Sequence, residues 1–140
     1  MDAHYRRLEA IYDSAPVNNH FLRPTLLVKD GSSTLTIQFD KTHFHAGGGI
    51  HGARYFRLMD DAAYFAAASQ EKEFFLLTLS FEVKLFRMIT TEELECIGTF
   101  EGKEGKDYIA TAEIYANGKI AAKGKGVFRA SEMRYNDIQS

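Results

Sequence analysis

The chain has 140 residues, 45% hydrophobic and 26% charged, with 11 Phe and 7 Tyr, which fits one globular domain with a sizeable core and excludes a disordered chain. Its 17 basic and 19 acidic side chains leave a formal net charge of −2, without the electrostatic footprint of a partner for nucleic acid or an anionic membrane. The longest strongly apolar stretch, around Ala62 to Ala68, is far shorter than the roughly 20 residues needed to span a bilayer. The N-terminus MDAHYRRLEA has no apolar signal-peptide region, and the lone Cys96 leaves no intrachain disulfide and no cysteine-based metal cluster. A cytoplasmic location is expected.

Tyr5, Leu8, Ile11 and Tyr12 recur at helical spacing, which predicts a short amphipathic cover helix over 2–13, ended by Asp13-Ser14-Ala15-Pro16. Leu26 to Lys29 and Thr34 to Phe39 flank Asp30-Gly31-Ser32-Ser33, and Leu35, Ile37 and Phe39 alternate with polar residues, which predicts a hairpin. Residues 40–50, DKTHFHAGGGI, form a glycine loop whose backbone can approach a ligand closely.

From His51 to Ser69 the chain has no proline, a single glycine at its start and small or apolar residues in almost every direction, which predicts a buried central helix. Leu77, Leu79, Phe81, Val83 and Leu85 alternate with polar residues and predict a strand with one apolar face. Leu94 to Phe100 predict a second strand, Glu101 to Lys106 a polar turn, Tyr108 to Tyr115 a third strand, Asn117-Gly118 a type I′ turn and Lys119 to Ala130 a fourth. Residues 1–130 are expected to form the single domain, and 131–140 a loose tail. The order α-β-β-α-β-β-β-β favours an α+β antiparallel sheet wrapped on one long helix over a doubly wound parallel sheet.

Two adjacent carboxylates lie on the central helix. Asp61 follows Arg57 by four residues and reads as half of an ion pair. Asp60 shares its face with Ala53, Phe56, Ala63, Tyr64 and Ala67, where a carboxylate is costly unless partnered or functional. His51-Gly52 opens the same helix, where unpaired N–H groups and the positive end of the dipole are placed to polarise a carbonyl oxygen, or serve merely as cap and turn. His51 and Asp60 are separated by roughly 13 Å at 1.5 Å per residue. If both act on one bond, two chains must meet, which predicts an obligate homodimer with two shared sites. His43 and His45 lack a third ligand at any standard spacing, so no metal site is expected. No nucleophile elbow or glycine-rich nucleotide motif occurs.

The pattern His45-x5-His51-Gly52-x7-Asp60, followed by a strand beginning near Thr78 and ending Leu85-Phe86-Arg87, resembles the PaaI-like hotdog-fold acyl-CoA thioesterases over about residues 25–130. The resemblance implies a hotdog fold, an antiparallel sheet around a long central helix, paired into dimers whose sheets join and often into tetramers. It implies Asp60 as general base or nucleophile on the thioester, the Gly52 amide as the carbonyl-polarising group, His51 positioning that loop, and Thr78 bonding the water or orienting the acid. His45 stands where many members carry Asn to align water or substrate; with Gly52 and Tyr64 it completes the candidate substrate-binding set. Ala53 replaces a usual second glycine, and Met88 stands where Pro is common after Arg87. No cofactor is implied, since coenzyme A belongs to the substrate. Rival readings are a non-catalytic acyl-CoA-binding module, a hotdog enoyl-CoA hydratase or dehydratase, and a purely structural dimer.

Overall fold

The structure is a computed structural model and describes residues 2–16, 24–38, 46–49, 52–90 and 93–138. In chain order its elements are α1 (Asp2–Ser14), β1 (Thr25–Lys29), β2 (Ser32–Gln38), α2 (Gly52–Ala68), β3 (Phe74–Leu85), β4 (Glu93–Glu104), β5 (Asp107–Ala116) and β6 (Lys119–Arg134), with a 3-10 turn at Tyr135–Asp137. The strands form one antiparallel sheet in the order β1-β2-β4-β5-β6-β3. α2 lies against one face of it, which gives the α+β hotdog architecture.

The alternation read from sequence is what seats the helix. Leu35 and Ile37 on β2, Leu94 and Cys96 on β4, Ala110, Ala112 and Ile114 on β5 and Phe128 on β6 are buried beneath α2. From α2, Leu58, Met59, Ala62 and Ala63 meet them and are fully buried. Small residues let backbone approach backbone. A Cβ on Gly98 of β4 would stand 2.0 Å from the Ala62 carbonyl oxygen. The Ser33 hydroxyl donates to that oxygen at 2.5 Å, and the Cys96 thiol to the Leu58 carbonyl at 3.6 Å. Cys96 is therefore a core thiol, its ionisation opposed first by burial.

α1 closes one sheet edge. Arg6 donates to the Val28 carbonyl and Glu9 accepts from the Val28 N–H, both at 2.8 Å, so the outer strand β1 is partly capped by side chains. Arg7 can only donate to His4 Nδ1, so His4 is neutral there and its Nε2–H donates to the Ala68 carbonyl at 2.8 Å, tying α1 to the end of α2. Burial, foremost, and the Arg7 charge hold the His4 pKa down.

Three expectations are corrected. β3 does not keep one apolar face: its pairing with β6 slips between Thr78 and Ser80, a bulge that swaps the faces. Leu76 and Thr78 turn toward α2 before the bulge and Phe81 after it, while Leu77, Leu79 and Leu85 are each more than half exposed. The turn after β4 tightens to Gly105-Lys106, because Gly102 at φ 123° absorbs a second bulge and lets both strands run longer. Residues 131–138 are not a loose tail: β6 continues to Arg134, and Tyr135 is buried, its N–H bonded to the Glu73 carbonyl and its ring edge-on to His4.

Candidate active site

Asp60 sits midway along α2 on the side that faces β3. Because the bulge follows Thr78, that side chain still turns inward, and its hydroxyl donates to Asp60 Oδ1 at 3.0 Å. The other Asp60 oxygen has no hydrogen-bond partner among the described residues. Burial pushes the Asp60 carboxyl above the usual carboxylate range, and the Thr78 bond only partly opposes this.

Asp61 forms the expected pair with Arg57, whose Nε lies 3.6 Å from Oδ2. Tyr12 of α1 donates to the same oxygen at 2.8 Å. Burial raises the Asp61 pKa to about 6, against the lowering effects of the Tyr12 bond and the Arg57 charge, with the Asp60 charge adding to the rise.

Both carboxylates open on one cavity of about 340 Å³ between α1, α2 and β3. Its apolar walls are Ile11 of α1 and Ala15 just after it, Phe65 of α2, and Phe75, Leu76 and Leu77 of β3. Such a cavity, apolar with a few polar groups, is the form ligand sites commonly take. A larger depression of about 530 Å³ lies over Thr36, Glu93, Glu95 and Asn117, exposed residues on the sheet face turned away from α2.

Tyr64 lines the cavity, but its hydroxyl accepts from the Leu76 N–H at 3.0 Å and donates to the Leu76 carbonyl at 2.9 Å. Its phenol is committed to the backbone of β3, and it presents its ring to the cavity. Gly52 begins α2 and is exposed, with only Leu85 Cδ1, at 3.9 Å, near the position of an added Cβ among the described atoms. Eight residues of helix separate Gly52 from Asp60, roughly 12 Å, so one protomer does not join them. His45 and His51 lie outside the described residues, as does His43. The structure thus brings together Asp60, Thr78 and Tyr64 and leaves Gly52 apart. Tyr12 and Asp61 also line the cavity, a placement that the helical stripe of α1 and the Arg57–Asp61 ion pair do not reveal in the sequence. The one available signal was that Asp61 adjoins Asp60. Among the described residues no three His, Cys, Asp or Glu side chains converge as a metal ion requires.

The antiparallel sheet wrapped on α2 defines a hotdog fold, with an acid-bearing cavity beside its central helix. Known structures agree on the fold. The Escherichia coli PaaI protein from the phenylacetic acid degradation operon superposes with a TM-score of 0.83 at 15% identity, covering 95% of this chain and 96% of that one. A conserved Pseudomonas aeruginosa protein gives 0.77 at 23% identity, covering 87% and 98%. A Ralstonia eutropha protein, described as a candidate thioesterase related to phenylacetic acid degradation, gives 0.79 at 15% identity, covering 91% and 99%. These likenesses, all below 25% identity, show a shared fold. No protein-family model and no curated protein matches the sequence.

Proposed function

We propose that the protein is an acyl-CoA thioesterase that hydrolyses a thioester to a free acid and coenzyme A, with no cofactor beyond the coenzyme A of its substrate. The observation that carries this reading is Asp60: a half-buried carboxylate, anchored through one oxygen by Thr78, with the other lacking a hydrogen-bond partner among the described residues, at a cavity with apolar walls. Asp60 takes a proton from water as the oxygen adds to the thioester carbon, or attacks that carbon itself and is later hydrolysed. In either route the acyl–sulfur bond breaks, the hydroxyl of water ends on the acid and its proton on the coenzyme A sulfur. The Gly52 amide at the positive end of α2 takes the developing oxyanion, and His51 and His45 position loop and substrate. The test is thiol release from short, medium, long and aromatic acyl-CoAs. Intact acyl-CoA bound without turnover would assign a binding module instead, and a hydrated or dehydrated thioester would assign a hydratase.

The separation of Gly52 from Asp60 requires the two groups to come from different protomers, and the free edge of the sheet supports this. With β1 capped by Arg6 and Glu9, β3 is the outer strand that carries exposed Leu77, Leu79 and Leu85. Such an edge invites pairing with a second copy. Sedimentation is expected to give a dimer or a multiple of it, and Leu79→Glu, outside the protomer core, to give a folded monomer without hydrolysis. A fully active monomer would overturn the shared site.

The pH dependence follows in sign from the Asp60 shift. The base must be ionised, and burial favours its protonated form, so kcat/KM is expected to fall as pH drops through a midpoint above the ordinary carboxylate value. Thr78→Val removes the bond that stabilises the ionised form and is expected to move that midpoint higher still, as a pH–rate profile would read directly.

A further inference from the structure

The thioester chemistry needs one carboxylate, yet the cavity holds two. Asp61 is 23% exposed and faces the same apolar walls, a costly place for a charge that the reaction does not use. Its Oδ2 is matched by the Tyr12 hydroxyl and the Arg57 guanidinium. Its Oδ1 has no hydrogen-bond partner among the described residues. We propose that Asp61, held by Tyr12 and Arg57, is a polar subsite in the wall of the acyl cavity that accepts a hydrogen bond from a hydroxyl on the substrate's acyl group.

The placement of an acyl group in this cavity rests on the thioesterase reading; the choice of group rests on Asp61. An ionised carboxylate only accepts, so the ligand must donate. A hydroxyl supplies a donor while losing far less hydration than an ammonium would on entering a cavity walled by Ile11, Phe65, Phe75 and Leu76. At about 340 Å³ the cavity lies toward the small end for ligand pockets, which favours a compact acyl group over a long chain. The Tyr12 bond also fixes one carboxylate oxygen, so the remaining one is presented in a set orientation without ordering cost at binding.

The experiment compares kcat/KM for acyl-CoAs matched in size with and without a hydroxyl, such as hexanoyl against 3-hydroxyhexanoyl and benzoyl against 4-hydroxybenzoyl. A member of the hydroxylated set is expected to be preferred by roughly tenfold to a hundredfold, the scale of a hydrogen bond to a charged group. In Asp61→Asn the preference should fall toward unity, while Tyr12→Phe, which keeps the carboxylate, should retain a preference. Equal kcat/KM within every pair, in a protein that does release thiol, overturns the subsite and leaves the thioesterase standing. A preference unchanged in Asp61→Asn assigns the hydroxyl to another group and also overturns it. If no thioester is hydrolysed, the thioesterase reading fails, and the subsite is decided by the Kd of the same pairs on Asp60→Asn: tighter binding of the hydroxylated member supports it and equal binding overturns it.

Discussion

Asp60→Asn is expected to lower thioester hydrolysis by more than about a hundredfold, the usual scale for a positioned general base, with little change in folding. The two effects separate for a physical reason. Burial already disfavours the charged carboxylate, so replacing it with a neutral amide removes a desolvation cost, and the amide oxygen can still accept from Thr78. The variant should therefore melt within a few degrees of the unmodified protein while thiol release collapses. Turnover that survives in a folded Asn variant would place the base elsewhere, and loss of both activity and melting temperature would assign Asp60 a structural part instead.

Gly98→Ala is expected to be among the most destabilising single-methyl changes in the chain. The added Cβ would stand 2.0 Å from the Ala62 carbonyl oxygen, 2.4 Å from its carbon and 2.9 Å from Ser33 Oγ. Two of these are helix backbone and cannot rotate aside, so α2 must withdraw from the sheet. Withdrawal stretches the Ser33 and Cys96 bonds to α2 carbonyls and opens space around fully buried Leu58 and Met59. Overpacking of this kind costs about 3 kcal/mol, which corresponds to a melting temperature lower by roughly 10 °C for a domain of this size. Gly52→Ala is the control for stability: among the described residues its Cβ would meet Leu85 Cδ1 alone, at ordinary contact distance, so calorimetry should show it nearly unchanged. Equal melting temperatures for the Gly98 variant and the unmodified protein would show that α2 can shift without cost.

The same helix carries both predictions, and through it the site responds to stability. Asp60 is aimed at the cavity only while α2 lies close enough for Ala62 to touch β4. A Gly98 variant that remains folded should therefore also lose part of its turnover, since small displacements of a catalytic group are costly to rate.

Much of this was determined by local sequence. The element order follows from periodicity, and Asn117-Gly118 forms its tight turn with both residues at positive φ, 53° and 74°, because the dihedral needs of that turn are met by those two residues alone. Asp60 stands out because one carboxylate on a small, apolar helix face is anomalous whatever surrounds it. Tertiary structure decided the rest. The bulge after Thr78 inserts one residue into a strand whose apolar alternation continues unbroken through it, so the sequence pattern carries no mark of the face swap that sends Thr78 to Asp60 and Leu79 outward. The Tyr12 bond to Asp61 joins residues 49 apart, and it exists only because α1 docks against α2 where their faces happen to meet. Periodicity tells which side of an element is buried; which groups then face one another across the buried gap is set by packing.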